Sequence, residues 1–521
     1  VDGDRALTEY AFEMKGMVKI YPGGTVALKG VDFAVREGEI HGLLGENGAG
    51  KTTLMEILYG TRSPTAGEIY VRGKKVDIRS PRDAMALGIG MVHQHFTLIP
   101  VFTALENIVL GDEPVKTAGV VNVEAARARV EELMDQTGLH VDLDVPVETL
   151  STGERQRIEI LKMLYRNAEI LILDEPTAVL TPIEVEELFA FLKRMRDEGK
   201  TIVFITHKLR EVKAITDRVT VLRRGKVVGT VNTEEVTMED LARMMVGRKV
   251  LFKLEKRPRE PEAPQLVVED LWVRDDKGDY AVKGVSFEVK AGEIFGIAGV
   301  EGNGQTEMVE AITGLRKPER GRVLLAGKDV TGAKPHELYA MGLGHIPEDR
   351  HKRGIILDFT VVENSILGLQ RLPPFMNKWG VLQEKVVRDW AKKVVDRFEI
   401  DTPGIDALAS SLSGGNQQKL IVGREIMKDP KVVVAAQPTR GLDVAATEYI
   451  RKTLLAMRDE GRAVLLVSAD LDEVLMLSDR VGVMYEGQLM GIVRPEEVTI
   501  EEIGLMMGGV KLEEIKGRVS R

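Results

Sequence analysis

Short apolar runs alternate along this chain with segments whose apolar residues recur at helical spacing. Ile40–Leu44, Ala168–Leu173 and Thr201–Ile205 read as buried strands, whereas Leu54, Ile57 and Leu58 fall on one face of a helix. Strand and helix patterns in alternation predict an α/β fold built on a mainly parallel sheet. A largely helical stretch, roughly residues 103–150, interrupts that alternation. No apolar run approaches the ~18–20 residues that span a bilayer. Ile170 to Leu173, a typical run, stops at Asp174, so no membrane crossing is expected.

The pattern occurs twice. Val31-Asp32-Phe33 answers to Val285-Ser286-Phe287, Gly38-Glu39-Ile40 to Gly292-Glu293-Ile294, and Gly45 to Gly299, all at an offset of 254. Further along, Leu150-Ser151 pairs with Leu412-Ser413, Asp217-Arg218-Val219 with Asp479-Arg480-Val481, and Glu235-Val236-Thr237 with Glu497-Val498-Thr499, at an offset of 262. The second copy therefore carries 262 − 254 = 8 extra residues between the two blocks. Residues 11–250 and 266–510 are predicted to be two domains. The polar, Pro-rich run 251–265 between them has the composition of a linker. Residues 1–10, beginning at Val1, have no counterpart and read as an extension or an expression remnant.

Composition narrows the class. A length of 521 residues with 44% hydrophobic and 29% charged content excludes disordered and collagen-like chains. The absence of Cys excludes disulfides, thiolate metal sites and cysteine nucleophiles, and fits a reducing compartment. No basic segment followed by an apolar one marks the N-terminus for secretion, so cytosolic exposure is the expectation. A net charge of −9 argues against non-specific binding to nucleic acid, although local basic patches such as Arg223-Arg224-Gly225-Lys226 remain.

The chemistry lies at strand ends. Gly45-Glu46-Asn47-Gly48-Ala49-Gly50-Lys51-Thr52, with Thr53 following, fits G-x-x-x-x-G-K-[ST] between a strand and a helix. Gly45, Gly48 and Gly50 let backbone N–H groups converge on phosphate, Lys51 reaches the β/γ-phosphates, and Thr52 ligates Mg²⁺. The strand Ile170 to Leu173 ends in Asp174, which would hold Mg²⁺, and Glu175, which would orient or deprotonate the attacking water. His207, after the strand Thr201–Ile205, can sense the γ-phosphate, though an isolated His at such a place is as compatible with a structural role.

Leu150-Ser151-Thr152-Gly153-Glu154-Arg155-Gln156 and Leu412-Ser413-Gly414-Gly415-Asn416-Gln417-Gln418 resemble the signature of the ATP-binding cassette (ABC) family. The resemblance runs from about residue 11 to about residue 510. It implies two tandem P-loop NTPase cassettes, each a mainly parallel sheet core with an antiparallel β subdomain and a helical subdomain. It further implies that the cassettes face each other head to tail, so that each ATP is gripped by the P-loop of one and the signature of the other. Within this family Gln94 would link Mg²⁺ or water to the permease-contacting surface, and Tyr21 would stack on adenine. Read alone, Tyr21 is ordinary packing and Gln94 an ordinary loop residue.

The offsets expose losses in the second copy. Gln305 stands where Lys51 stood, Ala436 and Gln437 replace Asp174 and Glu175, Ala469 replaces His207, Glu348 replaces Gln94, and Asp275 replaces Tyr21. The signature and the loop that crosses the dimer seam in this family are instead weakened in the first copy, where Thr152 stands for Gly414 and Thr181 for Asp443. Sorted by composite site, Lys51, Thr52, Asp174, Glu175 and His207 with Ser413, Gly414, Gly415 and Asp443 make an intact site. Gln305, Ala436, Gln437 and Ala469 with Ser151, Thr152, Gly153 and Thr181 make a poor one. Turnover is expected almost entirely at the first, and the second keeps Gly299, Gly302, Gly304 and Thr306 with which to hold nucleotide.

A fused tandem layout resembles the importer ATPases for simple sugars and nucleosides. Residues 299–305, 345–350 and 435–443 are similar to the nucleoside-uptake branch, which works with a substrate-binding lipoprotein. The implied assembly has two transmembrane permease subunits docked near Gln94 and Phe96 in one copy and Glu348 and Asp349 in the other, holding this chain peripherally at the cytoplasmic face of the cell membrane. ATP and Mg²⁺ are the implied cofactors, and no nucleic acid partner is implied. A ribose/galactose-type sugar importer is the near alternative, although that branch typically keeps the second Asp-Glu pair. A soluble twin-cassette ATPase acting on ribosomes or DNA is the alternative from another class; such relatives usually keep both sites and carry a long charged linker.

Overall fold

The computed structural model describes residues 10–22, 24–94, 96–116, 120–178, 180–247, 256–257 and 259–519. Residues 1–9 of the expected N-terminal extension, and 251–255 and 258 of the expected linker, lie outside the described residues. The chain divides into two compact units, Val1–Phe252 and Lys253–Arg521.

In the first unit, strands Val26–Arg36, Tyr10–Ile20, Ala66–Val71 and Lys74–Val76 form, in that spatial order, an antiparallel sheet. A second sheet runs Lys226–Asn232, Arg218–Arg223, Ile40–Leu44, Thr201–Thr206, Ile170–Asp174, Ile89–Val92. It is parallel throughout except for the outer pair, Lys226–Asn232 with Arg218–Arg223. Because side chains alternate faces along a strand, a continuous apolar run buries both. Ile170, Ile172, Val203 and Ile205 join Phe12, Val31 and Leu54 in one core. Leu171, Leu173, Ile202 and Phe204 face the other way, onto Phe191 and Leu192 of the helix Pro182–Asp197.

The second unit repeats both sheets, in the orders Tyr280–Lys290, Pro264–Arg274, Arg320–Leu325, Lys328–Asp329 and Leu343–Ile346, Val432–Ala436, Ala463–Val467, Ile294–Ala298, Arg480–Tyr485, Gln488–Val493. The expected parallel core and antiparallel subdomain are thus present in each copy.

Three boundaries differ from those the sequence predicts. Among its described residues the stretch 103–150 holds helices at Ala104–Val109 and Val123–Thr137, with a short 3₁₀ turn at Val147–Thr149. Between the two helices Val115 and Val121 instead pair in an isolated antiparallel bridge. The helical subdomain is nonetheless real, since Ile108, Val130 and Met134 pack on Ile158 and Leu161 of the helix Thr152–Tyr165.

The run 251–265 is not a free linker over its described part. Pro264 and Gln265 already belong to a strand, Lys256 donates to the Ser478 carbonyl, Arg259 to that of Asp459, and Arg458 reaches the Arg257 carbonyl at 2.9 Å. Its charges solvate the second unit's own backbone rather than only water. The second unit also continues past residue 510 as the helix Leu512–Val519, with Ile515 buried. Among the described residues no helix is long and apolar enough to cross a membrane.

One buried group is expected to make the second unit lose stability in acid. His345, on the strand Leu343–Ile346, has its imidazole pushed down to about 4 by burial, with Arg353, Lys428 and Arg424 adding to the shift and Glu425 opposing it. The unfolded chain binds this proton near 6.5. Stability from the neutral ring is therefore complete above 6.5 and is lost as pH falls towards 4, roughly 2 kcal/mol of it by about pH 5. The thermal midpoint is expected to fall between pH 7 and pH 5, and to fall less in His345→Gln. An equal fall in both proteins would refute this assignment.

Candidate functional site

The phosphate loop of the first unit leaves the fully buried strand Ile40–Leu44 and opens the helix Lys51–Leu58. Its glycines are steric necessities at two places. A Cβ on Gly45 would come within 2.4 Å of the Leu222 carbonyl oxygen, and Gly50 has φ 105°, a value L side chains avoid. A Cβ on Gly50 would also press on the Ala27 carbonyl oxygen at 2.9 Å, and Asn47 and Gly48 form the exposed turn of the loop.

Lys51 is buried, and its Nζ donates to the carbonyl oxygens of Gly45 at 2.7 Å and Glu46 at 3.1 Å. Burial holds this ammonium below its ordinary pKa, against the pull of the nearby Glu175 and Asp174 carboxylates. A cation parked on loop carbonyls in a low-dielectric setting is ready to exchange them for phosphate oxygens.

Asp174 ends the strand Ile170–Asp174 with only 2% of its surface exposed. Burial pushes its carboxyl up to about 6, although a hydrogen bond with Thr52 and the charge of Lys51 work in the other direction. Hydroxyl, carboxylate and amide oxygens at Thr52, Asp174 and Gln94 are the hard donors that Mg²⁺ prefers. No group of three or more His, Cys, Asp or Glu suited to a metal occurs among the described residues. That donor-poor set fits an ion completed by phosphate and water, as P-loop sites require.

Glu175 is a non-glycine residue at φ 48°, a strained conformation of the kind that collects at functional sites. Its backbone N–H donates to the Ile205 carbonyl at 3.0 Å, which ties the turn to the neighbouring strand. From there its carboxylate meets two other candidate site residues: Gln94 Nε2 lies 3.2 Å from Oε2, and His207 Nδ1 lies 2.8 Å from Oε1. Burial raises this carboxyl, but His207, Lys51 and Lys208 outweigh it and bring the net value below the ordinary one. Glu175 is therefore ionised at neutral pH and able to accept a proton.

Tyr21 stands beside the loop, its hydroxyl 3.1 Å from Thr53 Oγ1 and its ring 5.2 Å from the Arg62 guanidinium. The remaining predicted residues gather in the second unit. Ser413 caps the helix Gly414–Met427, and Asp443 caps Val444–Asp459 through a 2.7 Å bond from the Ala446 N–H. A Cβ on Gly415 would lie 3.0 Å from that of Ala446 and 3.7 Å from Asp443 Oδ2, so signature and Asp443 loop are neighbours.

Sequence reasoning passed over Glu211. Its buried carboxylate accepts from the hydroxyls of Thr177 and Thr206, tying the turn after Glu175 to the strand end before His207. At the same offset of 262, Glu473 accepts from Thr439 at 2.7 Å and Ser468 at 2.9 Å. Persistence of this pair through the repeat was the available signal, and it marks a positioning group, not a chemical one.

The second unit keeps the architecture and loses the chemistry. Gln305 Nε2 turns back onto the Val300 carbonyl at 3.0 Å, much as Lys51 does onto its own loop. Gln437 keeps the strained turn at φ 45°, but its Oε1 accepts the Ala469 N–H at 3.1 Å, where a carboxylate–histidine pair stands in the first unit. A pocket of about 320 Å³ remains here, lined among others by Gly302, Gln305, Thr306, His345, Glu348 and Gln437.

Both units have known relatives. The profile of the family described as "ABC transporter" matches residues 28–178 and 282–440. The chain is similar to the "Nucleoside import ATP-binding protein NupA" of Lactococcus lactis, 48% identical over 94% of this chain and 97% of that one. It is also similar to the "Guanosine import ATP-binding protein NupO" of Bacillus subtilis, 48% identical over 96% and 98% respectively. Among solved structures, an archaeal ribosome recycling factor, aABCE1, in complex with the stalk protein aP1 shares the fold at 20% identity and a TM-score of 0.62, covering 95% of this chain and 92% of that one. Two matched cassettes and full-length relatives at this identity lead to one conclusion: the chain belongs to the ABC transporter family, as a twin-cassette ATPase.

Proposed function

We propose that this chain energises import of nucleosides, hydrolysing ATP at a single composite site. The observation that carries the reading is the cluster of Gln94, Glu175 and His207 beside a complete phosphate loop in the first unit, against Gln305, Ala436, Gln437 and Ala469 in the second. In this reading Ser413, Gly414, Gly415 and Asp443 complete the first site from the other cassette, and Tyr21 supports adenine. Thr52, Asp174 and Gln94 would hold Mg²⁺, whose charge would offset that of the β- and γ-phosphates.

Lys51 exchanges the Gly45 and Glu46 carbonyls for phosphate oxygens. Glu175 accepts the proton of the attacking water through Oε2, while His207 Nδ1 fixes the carboxylate from Oε1. Gln94, bonded to the same carboxylate, connects this event to the surface on which a permease docks.

Two transmembrane permeases hold the chain at the cytoplasmic membrane face, and a substrate-binding lipoprotein acts through them. The nucleoside cargo is supported by the two relatives named for nucleoside and guanosine import. Proteoliposomes containing this chain, two permeases and the receptor are expected to take up labelled guanosine with ATP and to ignore ribose. Uptake of ribose without guanosine would move the chain to the sugar branch. Failure to bind any permease, with co-sedimentation on ribosomes instead, would refute the importer assignment.

A further inference from the structure

In the second unit a tryptophan stands in water on a turn whose backbone is firmly held. Met376 and Leu382 pair in an isolated antiparallel bridge, and the Gln383 N–H donates to the Phe375 carbonyl at 2.7 Å. Inside that bridge the Asn377 N–H donates to the Val381 carbonyl at 3.0 Å, while Asn377 Oδ1 accepts the N–H groups of Trp379 and Val381 at 2.9 and 3.0 Å. Phe375 anchors the turn, being buried with its ring edge-on to Trp390 of the helix Glu384–Arg397 at 5.2 Å. Trp379 itself is 78% exposed, and Leu372, Val381 and Leu382 of the same segment are exposed too. An indole so placed contributes no burial to folding, so the order of this turn serves something outside the unit's own core.

Charge separates the turn from its counterpart. In the first unit Val115 and Val121 make the corresponding bridge, and the N–H groups of Lys116 and Asn122 donate to the carbonyls of Val120 and Pro114, as those of Asn377 and Gln383 do to Val381 and Phe375. Residues 111–136 around the first turn hold three Lys and Arg against six Asp and Glu, a net −3. Residues 368–397 around the second hold seven against three, a net +4 in a chain of net −9. Arg388 is engaged by Asp406 at 2.8 and 2.6 Å, whereas Arg371, Lys378, Lys385, Lys392 and Lys393 are exposed, and Lys378 Nζ lies 5.2 Å from the centre of the Trp379 ring. Indole and aliphatic groups flanked by Lys and Arg match the headgroup layer of a bilayer, where rings seat at the acyl boundary and cations meet phosphates. We propose that the turn 377–381 seats in an anionic phospholipid surface, with Trp379 as the inserted ring and Arg371, Lys378 and Lys385 as the phosphate-facing cations. This contact needs neither a permease nor a nucleotide.

Flotation of the full-length chain with vesicles of equal phosphatidylglycerol and phosphatidylcholine, in the absence of permeases, tests this. Binding is expected there, is expected to vanish on pure phosphatidylcholine, and should weaken as salt rises. Trp379→Ala should weaken it about tenfold or more, with the thermal midpoint and the rate of phosphate release unchanged. Lys378→Gln and Lys385→Gln should each cost roughly fivefold, the weight of one cation near an anionic surface. Brominated acyl chains should quench tryptophan emission in the native chain but not in Trp379→Phe, whose remaining Trp272 and Trp390 are half-buried; a folding defect would not imitate that pattern. No flotation, equal flotation on both vesicle types, or a Trp379→Ala chain that floats like the native one would overturn the proposal. So would a Trp379→Ala chain that floats normally but no longer binds reconstituted permeases, since the turn would then be a protein contact. Each of these results leaves guanosine uptake and ATP hydrolysis to be judged by their own assays.

Discussion

Glu175→Gln is expected to leave ATP bound and to lower steady-state phosphate release by roughly 10²–10⁴-fold, the range for loss of a general base. The substitution changes one oxygen to an amide, so size and the strained turn at φ 48° are retained. What goes is the negative charge that His207 stabilises at 2.8 Å and that a water proton needs. Retained binding follows because Lys51, Thr52 and the loop glycines are untouched. Rapid filtration with labelled ATP measures binding, and a coupled phosphate assay measures release. Hydrolysis near the native rate would show that Glu175 is not the base.

Lys51→Ala is expected to fail earlier in the cycle. This side chain is the buried cation of the first phosphate loop, and its Nζ lies on loop carbonyls at 2.7 and 3.1 Å, where it can be handed to the phosphates. Its removal takes away electrostatic stabilisation both of bound triphosphate and of charge developing on the transferred group. Loss of one such donor typically costs roughly 10²–10³-fold in turnover. Weaker ATP binding at the first site should accompany it, in contrast to Glu175→Gln. Titration calorimetry alongside the phosphate assay separates the two variants; a Lys51→Ala chain with native affinity and rate would remove Lys51 from the site.

The sequence carried the local chemistry because the groups in the first site are adjacent in the chain to strand ends. Gly45 to Thr52 follow a buried strand, Asp174 and Glu175 end another, and His207 follows a third. In a parallel sheet, strand ends with the same direction lie side by side, so three separate motifs could be assembled into one site without coordinates. The repeat offsets supplied the comparison with the second copy.

What could not be read depended on pairs distant in the chain. Thr306, Glu348 and Arg440 have no common motif, and only folding brings the Thr306 hydroxyl and the Arg440 guanidinium onto one carboxylate. Glu348 alone looked like a simple loss of Gln94. Likewise, the polar run before Pro264 has the composition of a solvated linker, and nothing in it indicates that Lys256 and Arg259 would solvate the carbonyls of Ser478 and Asp459. Within the stretch 103–150, the pairing of Val115 with Val121 in an isolated antiparallel bridge is likewise a contact between residues that no helical spacing announces.

The asymmetry between the two cassettes is tested most directly by the ADP formed per chain in the first turnover, measured by quenched flow with ATP saturating the assembled transporter. One ADP per chain is the expected burst, because only the nucleotide held by Lys51 and Glu175 can be cleaved. A burst of two would place a working base in the second cassette and contradict the account.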